Sequence, residues 1–189
     1  PVGIYLLPQI IGHFEFDQQV ALVDKVPTHY REVESIARVI QHIELTKKTA
    51  VGQKYIDFAM NNPEGKEVKL SDYISKNKYT LIDFWASWCG PCKGEIPNLV
   101  ELQNKFGGEK FTVLGVNVWD EEEKFKAALT EEGITYPQIF IPRDNKDNAT
   151  EMYGIKGIPQ IILFGPDGVI VKRDLRGNAM KALVEEKMK

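Results

Sequence analysis

Apolar residues recur at spacings of three and four through PTHYREVESIARVIQHIELTKKTA, residues 27–50, where Val33, Ile36, Ala37, Ile40 and Ile43 fall on one face of a helix. A shorter helical pattern, FDQQVALVDKV at 16–26, precedes it, and Pro27 separates the two. Residues 1–50 therefore read as a helical appendage, whose longer helix is expected to pack on the remainder of the chain or on a second copy of itself. From Tyr55 the pattern changes. YIDFAM and EVKL are short strand-like runs on either side of NNPEG, whose Pro and Gly form turns, so a hairpin is expected. YTLIDFWA, residues 79–86, is continuously apolar, as in a strand covered on both faces. A helix to about Phe106, the strand FTVLGVNV, and a helix opened by Asp120 and Glu123 in capping-box spacing follow, the last with Phe125, Ala128 and Leu129 on one face. IPQIILF and VIVKRD are strand-like and joined by GPDG, a hairpin signal, before a final helix from about Asn178. Strands that alternate with helices and end in a hairpin predict an α/β class, a mixed sheet with helices on both faces over residues 51–189. The boundary is placed near TAVGQ, residues 49–53. No internal repeat or low-complexity tract interrupts the pattern.

The 189 residues suit one domain, or a domain of about 140 residues with an appendage. Hydrophobic content of 43% and charged content of 27% are those of a soluble globular protein. A net charge of -3 and a pI near 5.7 remove the basic surface that nucleic acid selects, so no nucleic-acid partner is expected. PVGIYLLPQIIG is broken by Pro8 and Gln9, lacks basic residues ahead of it and is shorter than the roughly 20 apolar residues of a spanning helix, so no membrane span is expected. The chain opens on Pro1 rather than Met, and a processed or truncated piece is expected. NAT, residues 148–150, fits a glycosylation sequon, a three-residue match that arises often by chance.

The chain has two cysteines, both in DFWASWCGPCKGEIP, residues 83–97. Two thiols at this spacing can hold a metal, lock a turn or exchange electrons. Cys89 lies between a buried strand and a helix, so it occupies a helix N-terminus, where unpaired N–H groups and the helix dipole favour a thiolate. Cys92, one turn on, is placed to attack a mixed disulfide formed on Cys89. Pro91 fits the first turn, which needs no internal N–H donor. A zinc site wants four ligands, and His13, His29 and His42 all lie in the appendage, so no metal is expected. No other cofactor is required, since two sulfurs hold the electrons.

LIDFWASWCGPCK resembles the active-site segment of thioredoxin, and IKGIPQIILFGPDG resembles the later segment in which a cis proline faces the cysteines. The resemblance covers roughly residues 50–189. VGQKYIDFAM, Glu95, Pro97 and an insertion between the central strands are similar to the TlpA/ResA-like thiol-disulfide oxidoreductases of the bacterial envelope, and the helical lead-in resembles the spacer of Bacteroidetes relatives. This implies a thioredoxin fold and thiol-disulfide exchange, with Cys89 as attacking thiolate and Cys92 as resolving thiol. Asp83, inside an apolar strand where its pKa should rise, is one candidate proton partner, and Glu95 is the other. Ile158 and Pro159 are implied as a substrate shelf, with Trp88, Gly90 and Pro91 at the rim. The Gly-Pro dipeptide is thioredoxin's own; thioredoxin is reducing at about -270 mV and DsbA oxidising at about -120 mV, which favours a reductase. Implied partners are protein thiols and disulfides and a membrane electron donor of the thiol-reducing type, in the periplasm or cell envelope. Two rivals stand beside this reading. A thiol peroxidase of this fold uses a P-x-x-x-T-x-x-C pattern, but Ile82 and Ala86 hold its Pro and Thr positions. A redox-inactive, chaperone-like binding module would keep its activity without Cys89.

Overall fold

The computed structural model describes residues 2–74, 77–145 and 149–189; Asn148 of the NAT triplet lies outside them. The chain forms two compact units, Pro1–Lys48 and Thr49–Lys189. In the first, helices α1 (Val2–Ile10), α2 (Phe16–Asp24) and α3 (Glu34–Lys48) share a small core. A capping box starts α2: the Gln18 side chain accepts from the Glu15 N–H at 3.1 Å. The Arg31 guanidinium closes its C-terminal end on the Val23 and Val26 carbonyls. The stripe of α3 is Ile36, Val39 and Ile43, buried against α1 and α2 of the same unit. Of the expected face, Ile36 and Ile43 are buried and Ala37 and Ile40 half-buried, while Val33 precedes the helix and stays exposed and Val39 is buried in addition.

The second unit carries a seven-stranded mixed sheet. A hairpin, β1 (Ala59–Asn61) and β2 (Glu67–Lys69), is followed by β3 (Tyr79–Trp85), α4 (Gly90–Phe106), β4 (Phe111–Asp120) and α5 (Glu122–Glu131). Next come β5 (Gln138–Pro142), the short α6 (Ala149–Met152), the hairpin β6 (Gln160–Phe164) and β7 (Ile170–Lys172), and α7 (Gly177–Lys187). The spatial order is β2-β1-β5-β4-β3-β6-β7, with β3, β4 and β5 mutually parallel and β1 and β6 antiparallel to their neighbours. The hydropathy pattern does not predict β5. Its run is bounded by Pro137 and Pro142, which weaken a strand signal, yet Ile139, Phe140 and Ile141 are buried on alternate faces.

Alternation along β3 separates two cores. Ile82 and Phe84 pack with Leu114, Val116 and Tyr153 on one face, and Leu81 with Leu99, Leu102 and Met180 of α4 and α7 on the other. Trp85, further along that second face, packs with Cys92, Ile96 and Phe125. Asp83 therefore lies on the α4 side of the sheet, between these two clusters. Across the parallel strands it is level with Gly115 of β4, which is level with Gln138 of β5. A Cβ at Gly115 would fall on the Gln138 side-chain amide. That amide is fixed: Trp85 Nε1 donates to its Oε1 at 3.0 Å, and its Nε2 donates to the Tyr136 carbonyl at 3.3 Å.

Gly115→Ala is accordingly expected to displace Gln138, leave the Trp85 indole N–H unpaired and cost about 1–3 kcal/mol in denaturant unfolding. Adding Gln138→Ala should make the pair less destabilised than the sum of the single changes. Strict additivity in that cycle would mean that the two side chains do not compete for one space.

Candidate active site

The chain leaves β3 at Trp85, turns through Ala86–Trp88 and enters α4 with Cys89 as its N-cap. Gly90 and Pro91 fill the first turn and are exposed. The Cys89 sulfur accepts the Cys92 N–H at 3.2 Å, so one of the helix's orphan donors points at the first cysteine. The two cysteines form a disulfide with their Cα atoms 5.2 Å apart. They differ in access: Cys89 is 4% exposed and Cys92 0%. Pro97 sits inside α4 and removes the donor for the Lys93 carbonyl, a structural feature of the helix.

Beside the pair, the Ile158–Pro159 peptide is cis. Pro159 is buried and Ile158 half-buried, and the ladder with β3 begins only at Gln160. The Ile158 backbone is thus outside the sheet pairing. Trp88 is 56% exposed, and its indole N–H donates to the Trp119 carbonyl at 3.0 Å. The Arg143 guanidinium donates to the same carbonyl at 3.0 and 3.3 Å. Trp119 has a φ of +57°, a left-handed value unusual for a bulky residue, and lies where β4 shifts register against β5.

Asp120 differs from its expected role. β4 continues through Asp120, and the N-cap of α5 is Glu121. The Asp120 carboxylate is buried and turns to the cysteine loop instead: it accepts the Ser87 N–H at 2.6 Å, the Ser87 hydroxyl at 2.9 Å, Asn117 Nδ2 at 3.1 Å and the Glu121 N–H at 2.9 Å. Ser87, two residues before Cys89, is thereby tied to the end of the neighbouring strand. The sequence signal for this was present: an Asp closing a long apolar strand, at the carboxyl edge of a parallel sheet where α/β sites assemble.

The two carboxylates near the pair are in different states. Asp83 is wholly buried, and among the described residues neither of its oxygens has a hydrogen-bond partner. Burial raises its pKa to about 8, with the Arg176 charge pulling the other way and Glu95 adding to the rise. The Tyr136 hydroxyl and Asn117 Oδ1 are also buried without a partner among the described residues; burial lifts the Tyr136 hydroxyl well above its ordinary value, and Asp83 adds to that. Glu95 is half-buried, and both of its oxygens are engaged. They accept the Gly177 N–H at 3.0 and 3.2 Å, at the N-terminus of α7, and one accepts Asn98 Nδ2 at 3.2 Å. Glu95 is thus bound to a helix end, where a carboxylate is favoured. Among the described residues no cluster of three or more His, Cys, Asp or Glu side chains is arranged to hold a metal.

Residues 51–173 match the AhpC/TSA family. A thiol-disulfide oxidoreductase ResA from Geobacillus thermodenitrificans is 30% identical over 143 residues, 75% of this chain and 79% of that protein. The thioredoxin domain of a thiol-disulfide oxidoreductase from Bacteroides vulgatus superposes with a TM-score of 0.69 at 34% identity, covering 74% of this chain and 99% of that domain. A thiol:disulfide interchange protein from Bacteroides sp. gives 0.68 at 34% identity, over 75% and 91%. With its cysteine pair at the β3–α4 junction of a thioredoxin-like sheet, the chain belongs to this thioredoxin-like AhpC/TSA family and is a thiol-disulfide oxidoreductase.

Proposed function

We propose that the chain works as a reductase of disulfides in protein substrates, with the Cys89/Cys92 pair cycling between dithiol and disulfide. The observation that carries this reading is the asymmetry of the pair: Cys89, 4% exposed, at the helix N-terminus with the Cys92 N–H on its sulfur, and Cys92 fully buried on the same side of the sheet as an unpaired Asp83 carboxyl. In the reduced enzyme the Cys89 thiolate attacks one sulfur of a substrate disulfide. A Cys89–substrate S–S bond forms, and the other substrate sulfur leaves as a thiolate and takes up a proton. The Cys92 thiol then gives its proton to the Asp83 carboxylate and attacks the Cys89 sulfur. The internal disulfide closes, the second substrate thiolate leaves, and two electrons have passed to the substrate. Asp83 is favoured over Glu95 for this proton because Glu95 already accepts hydrogen bonds at α7.

Trp88, Gly90 and Pro91 form the exposed rim that the substrate meets. The uncommitted backbone of Ile158, beside Pro159, suits an extended substrate segment pairing as an added strand. Reducing equivalents come from a membrane donor of the thiol-reducing type, and the enzyme works in the periplasm or cell envelope; the resemblance of its motifs to envelope reductases supports this. Among the described residues no helix is long and apolar enough to cross a membrane.

Cys89→Ser should abolish reduction of a disulfide substrate such as insulin, while Cys92→Ser should stall as a stable mixed disulfide visible by mass. Retained turnover in Cys89→Ser would remove the exchange mechanism. For direction, the pair titrated against dithiothreitol should show a two-electron couple near or below about -250 mV, and a value near about -120 mV would make it an oxidant.

A third expectation concerns pH. With a pKa of about 8, roughly a tenth of Asp83 is ionised at pH 7, so closure of the mixed disulfide should accelerate from pH 6 to 8. Asp83→Asn should slow that step by about 10²–10⁴-fold and remove its rise. The folded pKa lies above the unfolded value of about 3.9, so the stability linked to Asp83 protonation is complete below about pH 4 and is lost as pH climbs through about 8. Melting of oxidised Asp83→Asn should therefore match wild type near pH 4 and exceed it by a growing margin toward pH 8. An equal margin at both ends would mean that Asp83 is not the group being titrated.

A further inference from the structure

We infer that Arg176 is a positioning residue for the exchange reaction, joining the Pro159 shelf to the Asp83 carboxyl from the start of α7. This rests on the role given to Asp83 above and extends it to a residue that takes no part in bond exchange.

The placement follows from the backbone. Asp83 is level with Ile161 on the antiparallel neighbour β6, and the Ile161 carbonyl accepts the Leu175 N–H at 3.2 Å. Arg176 is the next residue. Its guanidinium donates to the Leu175 carbonyl at 2.6 Å and, through its other terminal nitrogen, to the Pro159 carbonyl. One planar fork thus spans two carbonyls, and a lysine, a point donor on a flexible stem, cannot hold that geometry. The next N–H along, that of Gly177, goes to Glu95. The segment Leu175–Gly177 therefore meets three parts of the site in three successive residues: the strand opposite Asp83, the cis-proline segment and the cysteine-bearing helix.

The charge is directed the same way. Among the described residues Arg176 enters no ion pair, and the carbonyls it binds carry no net charge. Its cation is left to act on the nearby buried carboxyl. The charged or titratable groups that act on Asp83 are Glu95 on α4, Tyr136 ahead of β5, and Arg176 ahead of α7. Of these only Arg176 is a cation. Without it, the proton acceptor for Cys92 would face burial and a neighbouring carboxylate with no compensation, and its ionised fraction at pH 7 would fall below the present tenth.

The test reads Asp83 directly, by carbon-13 NMR titration of its carboxyl in the oxidised protein. Arg176→Gln keeps an amide donor for Pro159 but removes the charge. It should move the midpoint upward from about 8 and lower the ionised fraction at pH 7 about threefold to tenfold. Arg176→Lys keeps the charge and loses the fork, so it should restore the wild-type midpoint while raising KM for a protein disulfide about threefold or more. A merely structural arginine would lower the melting temperature of both variants and leave the midpoint where it was, and that result overturns the inference. So does a wild-type KM in Arg176→Lys, which carries the test if Arg176→Gln does not fold. The titration does not depend on turnover. If Asp83→Asn exchanges normally while Arg176→Gln shifts the midpoint, the catalytic role of Asp83 falls and the Arg176–Asp83 coupling stands. An unshifted midpoint with a slow Asp83→Asn has the opposite meaning: the coupling falls and the role of Asp83 stands.

Discussion

An ionisable carboxyl placed inside a covered strand is the constraint around which this site is arranged. Water is excluded from Asp83 on both faces of the sheet, and no described donor replaces it, so the charged form is disfavoured and the pKa climbs to about 8. The surroundings are fitted to that position. Gly115, level with it on β4, leaves the space into which the Gln138 amide lies, and that amide in turn satisfies the indole N–H of Trp85. Leu81 and Trp85, two residues to either side on the same face, are pinned by α4, the helix that carries Cys92. Beside it the side chains are apolar or paired except for the Tyr136 hydroxyl, which is buried without a partner among the described residues.

Parallel pairing of β3 with β4 brings the rest of the site to one edge. Both strands end on the same side, so the loop after β3, which carries Ser87, Trp88 and Cys89, meets the end of β4, which carries Trp119 and Asp120. Four hydrogen bonds to one buried carboxylate and a shared carbonyl hold this meeting point. The register shift of β4 near Trp119 is the local distortion that lets its carbonyl face outward to Trp88 and Arg143. A nucleophile on a short loop is only as well placed as the elements the loop is tied to.

The sequence discloses what depends on local order. The strand at 79–85, the helix that begins at Cys89, the GPDG hairpin and the expectation that Asp83 titrates high all follow from residues within a few positions of one another. What it hides depends on partners far along the chain. β5 is obscured by its flanking prolines, though a parallel neighbour and buried alternate faces make it a strand. Asp120 has the look of a cap because it is an acid before EEE, while its actual partner, Ser87, is 33 residues away. Val39 is buried because residues of α1 and α2 cover it, whereas Val33 lies ahead of the helix and is exposed. Glu95 and Arg176 can be seen as charges, but that Glu95 of α4 meets the start of α7, where Arg176 is the N-cap, is set by tertiary packing across 82 residues of chain.

The two cysteines therefore sit in environments of opposite kind within one turn of helix. Cys89 has a helix N-terminus and a backbone donor to favour its negative charge, and is the slightly exposed member of the pair. Cys92 has neither access nor any described donor to its sulfur, and it shares its side of the sheet with a carboxyl that burial keeps mostly protonated at neutral pH. Such a pair separates the two halves of exchange in time. The first attack needs only the thiolate that the helix already favours. In the proposed mechanism the second waits on the Asp83 carboxylate, which is the minor form at neutral pH, and the mixed disulfide lasts accordingly. A solvated carboxyl would be ionised throughout neutral pH but would be a far weaker base toward a thiol; under the proposed mechanism burial in β3 trades the amount of carboxylate for its basicity, which brings the group close to the thiol it would deprotonate.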